Sequence, residues 1–244
     1  MLHCPAVFDT LPRSKSYVRL STTDFRPYLQ PTYFIDSDSP AVIEFAQTAA
    51  GGGQTDIEKA VNLYYAVRDQ IRYRVYDLVF EPYKFKASTT LAEKVSFCIP
   101  KAALLAAAAR VLDIPSRLGF ADVRNHLSSG RLLDIMRTDV FIYHGYTELF
   151  LAGRWVKATP AFNLSLCQKF GVLPLEFDGR RDSIFHPFDA QGQHHMEYLR
   201  DHGHFADLPF EQMMAALAQG YPHLLGPNGS GWPHGDLERE ATKT

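Results

Sequence analysis

The stretch between residues 40 and 80 has the spacing of apolar residues expected for two helices and a strand. Residues 41–50 predict a short helix, and three consecutive glycines, Gly51 to Gly53, should end it. Thr55 should begin the second helix, because Glu58 three residues later completes a capping box, and apolar residues then recur at helical spacing. Between residues 71 and 79 apolar and polar residues alternate, which favours a strand.

The middle of the chain predicts a buried helix followed by strands. The run from Ala102 to Leu112 is apolar on nearly every face, which is typical of a helix covered on all sides, and Pro100 fits its first position. Strands are predicted at 118–123, 139–151 and 154–158. The dipeptide Ala152-Gly153 between the last two is a hairpin signal.

The remaining segments are less regular. Residues 125–138 and most of the chain beyond Leu164 predict polar connections. Residues 210–219 predict a last helix, with Pro209 at its start and Gly220 after its end. The tail from residue 226 is rich in Pro, Gly, Ser and charged residues, so it should be frayed.

Composition and charge exclude several classes of protein. Hydrophobic residues make up 46% of the 244 residues and charged ones 21%, which suits a folded globular chain. A net charge of −2 argues against nucleic-acid binding. No apolar run approaches the ~20 residues that span a membrane, and the first residues lack the pattern of a signal peptide. Three irregularly spaced cysteines argue against a disulfide framework, so we expect a cytoplasmic protein with free thiols.

Cys98 is the candidate nucleophile. A thiol at a helix start lies at the positive end of the helix dipole, near free backbone N–H groups, and both favour the thiolate. The same N–H groups are candidates for binding an oxyanion. His144, on a predicted strand, is the candidate base, and Thr159, at the end of the next strand, is a candidate for orienting the imidazole.

The order of these features resembles the transglutaminase-like superfamily. The resemblance covers about residues 61–162 and rests on Cys98 at a helix start, an Ala/Leu-rich helix, the segment 113–118 (Asp-Ile-Pro-Ser-Arg-Leu), His144 on a strand and Trp155 on the next. It implies an α+β fold of transglutaminase-like or papain-like type, with the Cys-bearing helix packed on an antiparallel β-sheet. It also implies that Cys98 is the nucleophile and His144 its base.

Thr159 stands where that superfamily usually has an Asp. A hydroxyl can accept a hydrogen bond from imidazole but adds no negative charge, which weakens a thiolate–imidazolium pair by about one to a few kcal/mol. Three interpretations follow: Thr159 suffices, Asn163 takes the orienting role, or the site is inactive. We favour the first two, because Cys98 and His144 both occupy the expected positions.

A group of histidines follows residue 180: His186, His194, His195, His202 and His204. Imidazole and carboxylate groups suit Zn, Fe or Mn, but the His-Glu-x-x-His pattern and a cysteine pair are absent, so we expect no metal and no cofactor. Pocket lining is the favoured interpretation. The candidate residues of an apolar pocket near Thr159 are Phe162, Phe185, His186 and Phe188.

The leading hypothesis is a cysteine-dependent hydrolase or acyltransferase that acts on amide or peptide bonds through a thioester acyl-enzyme. Its substrate would be a small-molecule amide, a peptide or a protein; no nucleic acid or membrane partner is expected, and the oligomeric state stays open. The alternatives are an inactive transglutaminase-like binding module and a metal hydrolase using His186 to His204. We expect one domain over 1–244, with a core at about 61–162, an extension at 165–225 and a flexible tail at 226–244.

Overall fold

The computed structural model describes residues 24–125, 130–184, 196–225 and 232–240. Its first two long helices are the predicted ones, α1 (Pro40–Ala50) and α2 (Asp56–Gln70). The capping box of α2 is confirmed: the Glu58 N–H donates to Thr55 Oγ1 at 3.2 Å, and the Thr55 N–H donates to Glu58 Oε2 at 3.1 Å. Local side-chain chemistry therefore determines where α2 begins.

The central helix α4 (Cys98–Val111) carries the candidate nucleophile at its first residue. Residues 98–110 are all buried, because α1, α2, α3 (Ala87–Glu93) and two strands of the main sheet pack around the helix. The prediction of a helix covered on every face is confirmed. Its start was predicted wrongly: Pro100 is the third helical residue, a position still tolerated because first-turn N–H groups have no partner within the helix.

The main sheet has four antiparallel strands in the order β5-β4-β3-β6. They are β3 (Ser116–Asn125), β4 (Val140–Leu151), β5 (Arg154–Ala158) and β6 (Met196–Phe205). The predicted β4–β5 hairpin is confirmed, and its turn residues Ala152 and Gly153 have φ values of 47° and 84°. β6 was not predicted, because this edge strand is largely exposed and polar and shows no apolar alternation.

Smaller elements complete the described chain. The strand predicted at 71–79 is only β1 (Arg72–Tyr73), which pairs in parallel with β2 (Val95–Ser96). Segments predicted as connections contain α5 (Gly130–Met136) and α6 (Leu164–Phe170), whereas α7 (Phe210–Gly220) was predicted. None of the helices in the described ranges is both long and apolar enough to cross a membrane.

The C-terminal segment 232–240, which includes α8 (Leu237–Glu240), packs on the body instead of fraying. Trp232 Nε1 donates to the Val75 carbonyl at 2.8 Å, and the Tyr76 hydroxyl donates to Glu240 at 2.8 Å. The side chains of Trp232 and Leu237 also pack in or against the hydrophobic core. The other residues of the predicted tail, 226–231 and 241–244, lie outside the described residues.

A test of the sheet concerns Gly119, which pairs with Tyr146 of β4. A Cβ at this position would lie 2.2 Å from the Tyr146 ring, which is itself buried. We expect Gly119→Ala to lower the free energy of unfolding by about 1–3 kcal/mol, the usual cost of overpacking, as measured by urea denaturation. The control Gly52→Ala has open space around its Cβ. Equal stability of both variants would contradict the described β3–β4 register.

Candidate active site

Cys98 lies at the first turn of α4 with its sulfur almost enclosed. The residue is 8% exposed, and the backbone N–H groups of Gly145 and Ile99 lie near the sulfur, where they favour the thiolate. Burial raises the pKa of the Cys98 thiol to about 11, although these N–H groups act in the opposite direction. The cost of desolvating the thiolate is thus larger than its stabilisation by the helix N-terminus, so the thiol is protonated at neutral pH.

Gly145 allows the start of α4 to approach strand β4. A Cβ there would lie 3.0 Å from the Ile99 Cα. One turn further along, Thr147 Oγ1 donates to the Ala102 carbonyl at 2.8 Å and ties the same two elements together. The sequence analysis did not single out Gly145, although a glycine inside a strand is a recognised signal of close backbone approach.

His144 directly precedes Gly145 on β4 and lines the same cavity as Cys98. We call this space the cysteine cavity; its apolar walls include Val75, Phe97 and Trp232. Burial lowers the pKa of His144 to about 3, so the imidazole is neutral at neutral pH. A thiol and a neutral imidazole therefore line the same cavity, and a neutral imidazole is able to accept a proton.

An irregular stretch of β4 immediately before His144 is held by two side chains of other elements. Tyr143 has a φ of 55°, and the β3–β4 register shifts between Ala121 and Val123. The Tyr143 N–H donates to Asp122 Oδ1 at 3.1 Å. The N–H of Ile142, the preceding residue, donates to the Tyr221 hydroxyl at 2.9 Å. Such bulges commonly redirect a neighbouring side chain, so Asp122 and Tyr221 help to place His144.

The two residues predicted to orient His144 occupy buried positions close to the end of β5. The Thr159 hydroxyl is buried and forms no hydrogen bond within the part of the chain that the structure describes. The side chain of Asn163 accepts from the Tyr73 N–H at 2.9 Å and donates to Ser165 Oγ at 2.7 Å. In this conformation neither side chain is hydrogen-bonded to His144, and both orienting roles stay predictions.

A second cavity adjoins the first, and we call it the histidine cavity. The residues that line both are Tyr73, Val75, Leu132, Phe141 and His144. Phe162, one of the predicted pocket residues, lines it together with Val172, Met196 and Leu237. The other predicted pocket residues, Phe185, His186 and Phe188, lie outside the described residues. The C-terminal segment therefore forms part of both walls, since Trp232 borders the cysteine cavity and Leu237 the histidine cavity.

The predicted histidine cluster is described only in part. His202 Nε2 lies 2.6 Å from Asp122 Oδ1, and its ring stacks on Tyr143 with centroids 4.2 Å apart. His204 lies on the same strand, whereas His186, His194 and His195 fall outside the described ranges. Within those ranges, no group of three or more His, Cys, Asp or Glu residues is placed to hold a metal ion.

Burial of His144 should make the protein sensitive to acid. Below pH 6.5 the unfolded imidazole takes up a proton, whereas the folded one resists it until the pH falls to about 3. Stability is therefore intact above pH 6.5 and is lost progressively as the pH falls toward 3, by up to about 4 kcal/mol. We expect His144→Gln to reduce this loss in denaturation curves measured from pH 7 to pH 4.

The matched control is His204→Gln, because His204 is exposed. This variant should keep the acid sensitivity of the wild type. If His144→Gln were as acid-labile as the wild type, the buried neutral imidazole would not be the cause of the acid sensitivity.

Comparison with known proteins gives a family match and a similar solved structure. The model of the transglutaminase-like superfamily matches residues 43–160, and no curated protein matches the chain. A crystal structure of a "putative cysteine protease" from Cytophaga hutchinsonii is similar at 17% identity with a TM-score of 0.45, covering 75% of this chain and 54% of that chain. This chain thus spans about half the length of that structure.

Proposed function

Because residues 43–160 match the model of the transglutaminase-like superfamily, we propose that this protein cleaves or transfers amide bonds through a thioester acyl-enzyme. Cys98 is the nucleophile and His144 the base. The observation that supports this proposal is that both side chains line one cavity at the start of α4, where backbone N–H groups of the helix start and of Gly145 lie near the sulfur. Nucleophile, base and hydrogen-bond donors are the parts that acyl transfer requires.

In the acylation step the neutral thiol attacks the amide carbonyl carbon. The S–C bond forms as the thiol proton passes to His144, and the carbonyl π electrons move onto oxygen. N–H groups at the start of α4 stabilise that oxyanion. His144 then returns the proton to the amide nitrogen, the C–N bond breaks, and the amine leaves a thioester on Cys98.

The neutral side chain of Thr159 fits this mechanism, in which His144 begins as a neutral imidazole. A neutral hydroxyl in place of a carboxylate does not stabilise the imidazolium, which agrees with the low pKa of His144. The resulting imidazolium is a strong acid and protonates a departing amine readily, but the imidazole is a weak base. Catalysis then depends on holding the reactants in an enclosed site. The proposal includes an orienting role for Thr159 or Asn163, which would hold the imidazole ring of His144 in position.

The described cysteines also bear on the compartment. Cys98 and Cys167 are both free thiols. Free thiols are typical of reducing compartments, which supports the cytoplasm as the proposed location.

The acyl-enzyme itself provides the direct test. Incubation with a p-nitrophenyl ester of a short aliphatic acid should release a burst of nitrophenolate and add one acyl group to the protein, mapped to the Cys98 peptide by mass spectrometry. Hydroxylamine should remove it, as it does other thioesters. The variant Cys167→Ala should still form this adduct at Cys98.

Two results would contradict the proposal. An adduct mapped to Cys167, or no adduct in a folded protein, would reject Cys98 as a nucleophile. The protein would then be a binding module with a transglutaminase-like fold. The neutral Thr159, in the position of the usual Asp, favours that alternative.

A further inference from the structure

The space around Cys98 is too small for a substrate in this conformation. The cysteine cavity has a volume of about 80 Å³ and the adjoining histidine cavity about 60 Å³. These volumes hold a few water molecules, whereas small-molecule sites usually measure ~300–1,000 Å³. Cys98 and His144 are both buried. A molecule larger than water can therefore reach the sulfur only if part of the surrounding wall moves.

The C-terminal segment 232–240 is a part of that wall which can move without disrupting the core. Trp232 lines the cysteine cavity and Leu237 lines the histidine cavity. The walls also include residues of α4 and α7, but both helices pack on β4, so that their movement would break the core. In the described chain, the C-terminal segment pairs with no strand of either sheet.

The start of the C-terminal segment is attached to the irregular chain that follows β1. Trp232 Nε1 donates to the Val75 carbonyl at 2.8 Å, and the Asp77 N–H donates to the Pro233 carbonyl at 2.9 Å. The exposed His234 also lies against this chain, with Nδ1 2.5 Å from Asp77 Oδ1. These contacts hold the indole of Trp232 at the cysteine cavity.

The far end of the C-terminal segment is attached through Glu240. Its carboxylate accepts from the Tyr76 hydroxyl at 2.8 Å and from Arg131 at 3.0 Å. Arg131 also donates to the His234 carbonyl at 2.8 Å. The side chain of Arg131 is 55% exposed, and ion pairs with an exposed partner add little stability because water competes for the charges. The attachment is therefore specific, but its release costs little.

We propose that the C-terminal segment is an autoinhibitory cover, which closes the space around Cys98 and must leave before a substrate reaches the sulfur. The protein then exchanges between a covered state, in which Cys98 and His144 are shielded, and an open state that admits larger molecules. This inference goes beyond the proposed function, because it concerns access to the thiol and applies to any reaction of Cys98.

The experiment measures how fast a bulky reagent reaches Cys98 in the full-length protein. The reagent is iodoacetanilide at pH 9, and the modified Cys98 peptide is quantified by mass spectrometry over time. Trp232→Ala and Glu240→Ala should each increase the alkylation rate of Cys98 by about tenfold, which corresponds to the loss of about 1.4 kcal/mol of contacts that hold the cover. Thermal melts verify that each variant is folded.

Glu240→Ala is the more selective variant, because Glu240 is not among the described residues that line either cavity. It also decides the question if Trp232→Ala does not fold. Its matched control is Glu197→Ala, which removes an ion pair of similar length to Arg124 on the main sheet. The control for Trp232→Ala is Trp155→Ala, since Trp155 lies on β5 and packs on Phe150. Both controls should keep the wild-type rate.

Faster alkylation in the two variants of the segment, and not in the controls, would support the cover. An unchanged rate in folded Glu240→Ala would overturn the proposal even if Trp232→Ala reacts faster, because loss of the indole would then only widen the cavity. An equal increase in Trp155→Ala would also overturn it, since general loosening would explain the exposure of Cys98. Alkylation requires no amide chemistry, so failure to form an acyl-enzyme would reject the proposed function and leave the cover standing.

Discussion

Replacement of Cys98 by Ala should abolish amide cleavage, with kcat/KM falling by at least about a thousandfold, as expected when a covalent nucleophile is removed. The protein should remain folded, because the substitution removes only one sulfur atom from this buried position. The measurement is steady-state turnover of an anilide substrate together with a thermal melt. Loss of activity without loss of the melting transition is the expected result.

Cys98→Ser is the informative companion variant. Its hydroxyl occupies the same position but ionises less readily than a thiol, and the neutral imidazole of His144 is a weak base. We therefore expect the serine variant to be nearly as inactive as the alanine variant. Wild-type rates in Cys98→Ala would show that the reaction, if any, takes place elsewhere on the chain.

Replacement of His144 by Ala should lower kcat/KM by about a hundred- to ten-thousandfold, the usual contribution of a general base. The wild-type profile should remain active well below pH 6, because the imidazole stays neutral until the pH falls to about 3. In the His144→Ala variant no imidazole is present to accept the proton, so the Cys98 thiol must ionise by itself. Since burial raises the Cys98 pKa to about 11, its rate should increase with pH through the alkaline range.

The measurement for this prediction is a pair of pH–rate profiles combined with alkylation by iodoacetamide. With a pKa of about 11, roughly one thiol in 10⁵ is ionised at pH 6, so wild-type alkylation should be slow there. Fast alkylation at pH 6 that disappears in His144→Ala would instead demonstrate a preformed thiolate–imidazolium pair. Truncation of a ring at this cavity could also alter packing, and a thermal melt of the variant controls for that effect.

Parts of the site could be predicted because their causes are local. The capping box at Thr55, the Ala-rich helix after Cys98 and the turn at Ala152-Gly153 each depend on residues close together in the chain. The order of Cys98, the segment 113–118, His144 and Trp155 along these elements then indicated the fold. The start of α4 was misplaced by two residues, because a proline is compatible with several positions in a first turn.

Other features escaped prediction because they arise between distant segments. The sequence analysis expected the helix dipole to favour a thiolate at Cys98, but enclosure by β4 and the surrounding apolar side chains has the larger effect. The strand β6 pairs with β3 although its own pattern is polar. The segment from Trp232 to Glu240 covers the site, although its composition is typical of a frayed tail.

The amino-acid sequence by itself therefore determined α1, α2, α4, α7 and the hairpin β4–β5, and it placed the candidate nucleophile at a helix start and the candidate base on a strand, since hydrophobic periodicity and capping act over a few residues. Only the tertiary structure decided that the thiol and the imidazole are both uncharged, that Gly145 allows the helix to reach the strand, and that two apolar cavities meet at His144. The physical reason is that desolvation and cavity shape are sums over side chains from many parts of the chain, and no short pattern contains them.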